Sequence, residues 1–183
     1  LRSERVVAAI PPDALWAMAK EAPSSLRDRL EPIRALRPSP ILSLHLWSPD
    51  LDLLDPWIGL WGTSFHWLFH RARFLDVPGT RHVTLVLSAA DRAMRLSKDE
   101  IVSLAKRELS AALGKNVRIE RAVLIKEPFA TWIAPVGDTR ARLAPGPIFP
   151  GLSICGDWTQ TGLPGTIESA IASGHRASHA DGY

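Results

Sequence analysis

The sequence predicts a chain that is partly α+β and partly an α/β fragment, and three observations carry this. A run of short strands with few helices fills the middle, which argues for an antiparallel or mixed sheet. A strand, a glycine-rich loop and a small-residue helix follow one another in GLSICGDWTQTGLPGTIESAIASGHRA, residues 151–177. A strand-then-helix unit also opens the chain. The two ends therefore read as pieces of one α/β domain that frames a second, mixed-sheet domain.

Each element has a local reason. ERVVAAI (4–10) is an apolar run stopped by Pro11 and Pro12, which fits a buried strand. Asp13 is placed to cap a helix over 14–20, and a second helix is expected over 26–36, closed by Pro38 and Pro40. ILSLHLW (41–47) alternates, with Leu42, Leu44 and Leu46 as the apolar face of a half-buried strand. Residues 57–61 and 65–69 read as aromatic strands around the turn 62–64, and HVTLVLS (82–88) as a β-branched strand. Ser97 and Glu100 form a capping box for a helix whose stripe is Ile101, Leu104, Ala105, Ala112 and Leu113, with Gly114 as its stop. A strand is expected over 117–125, a proline-rich loop over 137–151, a strand over 152–155, and a last helix from about Pro164.

Composition narrows the functional classes. The 183 residues are 46% apolar and 22% charged, a globular balance. The charge of +3 comes from 22 basic and 19 acidic residues, scattered without a polybasic block, so no nucleic-acid footprint is present. Cys155 is the single cysteine; no intrachain disulfide can form, and a cytoplasmic compartment is the default expectation. No run approaches the roughly 18 to 20 apolar residues that span a bilayer. The opening at Leu1, in the approach to a strand, leads us to expect a piece of a longer protein.

The glycine-rich junction after residue 152 is the segment most open to ligand chemistry. A helix opening near Pro164 leaves N–H groups free at its start and carries about half a positive charge there, which suits a phosphate or an electron-rich ring edge. Glycines at 156, 162 and 165 permit close backbone approach. An ordinary strand–helix junction accounts for the same pattern.

The string CGDWTQTGLPGTIESAIASG resembles the C-terminal flavin-contacting motif of the flavin-dependent amine oxidase and phytoene desaturase superfamily. With SPILSLHLW and FHWLFHR upstream, it is similar to the squalene-associated desaturases, the hydroxysqualene dehydroxylase group of hopanoid biosynthesis. VVAAIPPDA resembles that superfamily's crossing from flavin domain to substrate domain. The likeness runs through nearly the whole chain, as the C-terminal part of a longer enzyme. It implies FAD as cofactor, with Gly156 and Asp157 near its ribityl–pyrophosphate part and Pro164, Thr166 and Ile167 facing the pyrimidine edge of the ring. It implies an end of an FAD-domain segment at 1–13, a substrate-binding domain at 14–145, and the C-terminal strand and helix of a Rossmann-like FAD-binding domain at 146–183. It also implies a C30 isoprenoid substrate, reductive dehydroxylation of hydroxysqualene to squalene, and attachment to the periphery of a membrane. The carotenoid and phytoene desaturases run hydride transfer the other way, and a non-catalytic accessory subunit retaining the fold is the alternative from another class. The superfamily's GxGxxG loop and its ribose-binding acidic residue have no counterpart here, so half of the cofactor site is expected from an N-terminal FAD-binding segment.

Trp47, Trp57, Trp61 and Trp67, with Phe65 and Phe69, read either as sheet core or as a π-rich wall for an isoprenoid chain. His45, His66 and His70 are candidates for protonating a departing hydroxyl, since histidine titrates in the useful range. The four-residue spacing of His66 and His70 suits a metal only on a helix; here it falls on a strand, so no metal site is expected. Cys155 reads as a small core residue.

Overall fold

Alternation in ILSLHLW produces the central strand of the larger sheet. The computed structural model describes residues 3–51, 53–75, 81–136 and 139–179. Its chain divides into two units, one of residues 39–130 and one of residues 1–38 with 131–183.

In the 39–130 unit, β2 (Arg37–Trp47) turns Leu42, Leu44 and Leu46 to one side, where all three are fully buried. β5 (His82–Ser88) runs antiparallel beside it with Leu44 opposite Leu85, which sets Val83, Leu85 and Leu87 on the same side. β4 (Trp67–His70) pairs with β5, β3 (Trp57–Gly59) pairs with β4, and β6 (Arg121–Ile133) flanks β2, giving the order β3-β4-β5-β2-β6. A short helix α3 (Arg71–Leu75) follows β4. Ile101, Ala105 and Leu109 of α4 (Lys98–Leu113) join the leucine face in one buried cluster. Truncating one of these leucines to alanine is a change of about 2–5 kcal/mol. The capping box of Ser97 and Glu100 is formed, and Gly114 ends α4 at φ 64°. Glu108 of α4 also holds the turn before β4, accepting from the N–H groups of Ser64 and Phe65 at 2.9 and 3.4 Å.

In the other unit, β1 (Val6–Ala8) runs parallel to β8 (Leu152–Ile154), and β7 (Gly146–Phe149) antiparallel to it. The helices α1 (Pro12–Met18) and α2 (Ser24–Leu30) bury Leu15, Leu26 and Leu30 in a cluster with Ile154 and Trp158. The last helix, α5 (Ile167–His179), buries Ser169, Ser173 and Ala177.

Several boundaries differ from the sequence expectation. Pro11, not Asp13, stands at the N-cap of α1, and Asp13 lies in its first turn. The expected helix over 26–36 is α-helical only to Leu30 and continues as a 3-10 turn, Glu31–Ala35. Pro32 is the reason, since it has no N–H for the carbonyl four residues back. Pro38 and Pro40 fall inside β2, ahead of its ladder with β5, which starts at Ile41. The strand expected over 117–125 is β6 (Arg121–Ile133). Upstream of it, the N–H groups of Val117 and Arg118 go to Ser110 Oγ and Asp50 Oδ2 and are lost to a ladder. The expected loop over 137–151, whose first two residues lie outside the described ones, contains β7. The units divide at 38/39 and 130/131, where 13/14 and 145/146 were expected, because α1 and α2 share their buried cluster with Ile154.

Candidate functional site

The loop 155–166 is built around Trp158, which is 2% exposed and donates from Nε1 to the Ile10 carbonyl at 3.0 Å. Its indole fills the space beside Gly156, where an added Cβ would stand 2.5 Å from Nε1. Gly156, at φ 148°, is thus required by Trp158 as well as by its backbone conformation. Arg142 donates to the carbonyls of Trp158, Leu163 and Asp157 at 3.2, 2.8 and 2.6 Å. Arg176 on α5 donates to those of Gln160 and Thr161 at 3.3 and 2.9 Å. Five carbonyls of one loop are therefore fixed by two guanidiniums. Ser169 and Ser173 complete the frame: Ser169 Oγ donates to the Asp157 carbonyl at 3.1 Å, and Ser173 Oγ accepts from the Gly156 N–H at 2.8 Å.

The helix begins three residues later than expected. Thr166 is its cap, its hydroxyl accepting from the Ser169 N–H at 3.3 Å and its carbonyl from the Ala170 N–H at 3.0 Å. Pro164 lies in the preceding turn and not at the first helical position. Ile167 is 77% exposed, and the N–H groups of Ile167 and Glu168 bond to no described group. The carboxylate of Asp157 is half-buried and likewise has no partner among the described residues. A Cβ at Gly165 would stand 2.5 Å from Thr131 Oγ1 and 3.1 Å from Asp157 Oδ2, so this glycine lets the turn close on the carboxylate. Cys155 is buried, and burial raises its thiol pKa above the usual 9.0, as fits an inert core residue.

The larger sheet presents Trp47, Trp57, Trp67, Phe69 and His45 on the face opposite the leucines. Trp57 and Trp67 stand there, 55% and 42% exposed, with ring centroids 5.9 Å apart. Phe69, Val123 and Ile125 share this face by strand alternation. Trp47 stacks on His82 at 4.2 Å, and the Arg121 guanidinium lies 4.5 Å over the Trp47 ring. Trp61 is fully exposed in the turn after β3 and belongs to neither face. Of the six aromatic candidates only Phe65 is core, so the sheet-core reading fails for Trp47, Trp57, Trp61 and Trp67.

The three histidine candidates are not brought together. His45 is on the open face, where its Nδ1 lies 3.2 Å from His82 Nε2 and 3.0 Å from Thr84 Oγ1. Burial and then Arg71 hold the His45 pKa below 6.5, and burial, His45, Arg71, Arg121 and His70 do the same for His82. His66 is exposed and accepts from the Ser88 N–H. His70 is 3% exposed on the leucine side, opposite Val83, so it cannot face the aromatic wall. No group of three or more metal-ligating side chains occurs among the described residues. Sequence reading missed His82, Arg142 and Trp158. Period-two alternation could have found the first, since His82 shares its phase with Thr84, and a tryptophan inside a glycine-rich loop was the signal for the last.

The loop is thus clamped by its carbonyls, while the Asp157 carboxylate and the first N–H groups of α5 bond to no described group. The chain belongs to the flavin containing amine oxidoreductases, whose family model matches residues 2–180. It is 32% identical over 126 residues to a hydroxysqualene dehydroxylase of Sinorhizobium fredii, covering 68% of this chain and 28% of that protein. It is 30% identical over 122 residues to the hydroxysqualene dehydroxylase of Rhodopseudomonas palustris, covering 66% and 27%. Thus the chain spans less than a third of the length of these relatives. Its fold matches an oxidoreductase from Methanosarcina mazei, with a TM-score of 0.62 at 14% identity over 95% of this chain and 42% of the other. A candidate protoporphyrinogen oxidase from Exiguobacterium sp. 255-15 matches at a TM-score of 0.66 and 13% identity, over 93% and 39%. No helix among the described residues is long and apolar enough to cross a membrane.

Proposed function

We propose that this chain is the C-terminal portion of an FAD-dependent enzyme that reduces hydroxysqualene to squalene. The observation that carries the reading is the open, aromatic sheet face of Trp57, Trp67 and Phe69, extended by Val123 and Ile125. A C30 isoprenoid offers little besides apolar area, and each 100 Å² it buries contributes about 2.5 kcal/mol. The relatives' names supply the head-group chemistry, loss of a hydroxyl.

The residues present fit a flavin on the unpaired Asp157 carboxylate and the open N–H groups of Ile167 and Glu168. Asp157 would accept from ribityl hydroxyls, and the α5 start would meet the electron-rich edge of the ring. FAD, when bound, supplies the hydride. This chain's residues bind the substrate, exclude water from its apolar part, and present ring faces that stabilise positive charge on an allylic carbon. His45, on the same face, is the candidate to protonate the departing oxygen, in the protonated form that burial and Arg71 disfavour, so this step calls for pH below 6.5. The pyrophosphate-binding glycine loop is supplied by an N-terminal FAD-binding segment, and an apolar substrate brings the enzyme to the membrane surface.

The test is the intact flavoprotein, reduced and supplied with hydroxysqualene under anaerobic conditions. Squalene is the expected product, with flavin reoxidation in step. Dehydrogenation of phytoene with hydroxysqualene left untouched would overturn the reading.

A further inference from the structure

The open sheet face carries one polar cluster amid its apolar surface. The ladders place Trp47 opposite His82, and both His45 and Phe69 opposite Thr84. Arg71 leaves β4 two residues after Phe69, and its guanidinium acts on both imidazoles. Arg121 reaches the cluster from β6 across the Trp47 ring. Neither arginine is ion-paired with a described carboxylate. The buried Nε of Arg71 has no hydrogen-bond partner at all. A guanidinium N–H withdrawn from water and left without an acceptor is costly, and proteins rarely tolerate it without a reason. Arg71, two imidazoles and the Thr84 hydroxyl thus gather on one side of the Trp47 ring with Arg121 over that ring, and no carboxylate pairs with either arginine among the described residues.

We infer that this cluster is an anion subsite that takes a phosphate or diphosphate monoester whose apolar chain lies along Trp57, Trp67 and Phe69. Guanidiniums suit such a head group because their planar N–H forks match paired phosphate oxygens. The imidazoles add donors, and more of them when protonated. The adjoining rings supply what a free phosphate could not use. An isoprenoid alcohol and its diphosphate ester share one chain and differ only at the head, so the face admits both and the cluster favours the ester. The inference stands apart from the dehydroxylation reading, since no hydride transfer enters it.

Among the described residues, the charged groups that act on the imidazole pair are Arg71 and Arg121. Their effect, after burial, is to keep the pair deprotonated near neutrality. A bound dianion reverses that field, so binding takes up protons and tightens as pH falls.

The experiment measures Kd for farnesyl diphosphate and for farnesol on the intact flavoprotein at pH 6 and pH 8, with vesicles of phosphatidylglycerol as a third ligand. At pH 6 the diphosphate is expected to bind at least tenfold more tightly than the alcohol, and this advantage should shrink at pH 8. Arg71→Gln and Arg121→Gln should each reduce it at least threefold while farnesol affinity, which reports the intact face, is unchanged. Arg71→Lys should retain part of it. Equal affinities for diphosphate and alcohol would overturn the assignment, as would an advantage untouched by both glutamine variants. Loss of vesicle binding in those variants, with no preference for the diphosphate, would assign the cluster to a membrane surface and also overturn it.

Discussion

His70 carries both ring nitrogens into the leucine side of the larger sheet, and neither has a hydrogen-bond partner. A neutral imidazole there leaves one donor and one acceptor unpaired, where leucine would add apolar contacts to Leu68 and Val83. His70→Leu is therefore expected to raise stability by about 1 kcal/mol, read as a higher urea midpoint at unchanged slope. A destabilised His70→Leu protein would show that the ring serves the fold in a way its contacts do not reveal. The neighbouring residue in sequence, Arg71, opens α3 and also has a buried atom without a hydrogen-bond partner, its Nε.

The loop between β8 and α5 is ordered by side chains and not by a ladder. Arg142 alone takes three of its carbonyls, and Trp158 pins it to the chain after β1. The N–H groups of Ile167 and Glu168, at the start of the helix that follows, bond to no described group. Arg142→Ala should lower stability by about 2–4 kcal/mol, because three charge-assisted bonds are lost and part-buried carbonyls are stranded. Arg142→Lys should restore little, since an ammonium lacks the planar fork that reaches three acceptors. Urea unfolding of both variants checks this; an alanine variant within 0.5 kcal/mol of the parent would show that the clamp is redundant. Sequence reading located this element and its glycines. It assigned Gly156 to ligand approach, whereas the Trp158 indole already fills that space. It placed the helix start at Pro164, because proline chemistry is visible in a sequence and the bond from Ser169 to the Thr166 hydroxyl is not.

Across the whole chain, titration bounds the stable range. His45 and His82 have folded pKa values below 6.5, so beneath that pH the unfolded chain binds more protons and stability falls as pH drops. Cys155 has a folded pKa above 9.0, so past that pH the unfolded thiolate is favoured and stability falls as pH rises. Urea midpoints are expected to be flat between about 6.5 and 9 and to decline on both sides, with His82→Gln flattening the acid side. An acid decline that starts only in the carboxylate range would show that the imidazole pair is not depressed. Much of this molecule was legible in its sequence. The alternation of Leu42, Leu44 and Leu46, the Ser97–Glu100 capping box, the stop at Gly114 and the GDWTQTGLPGTIE string are local patterns, and local patterns are what strands, caps and motifs are made of. The tertiary structure alone decided that His45 meets His82 across 37 residues, and that Arg142 grips a loop 15 to 21 residues away. Those facts depend on strand register and on the closing of long loops, whose outcome is set by burying the leucine face as a whole and leaves no periodic trace in the chain.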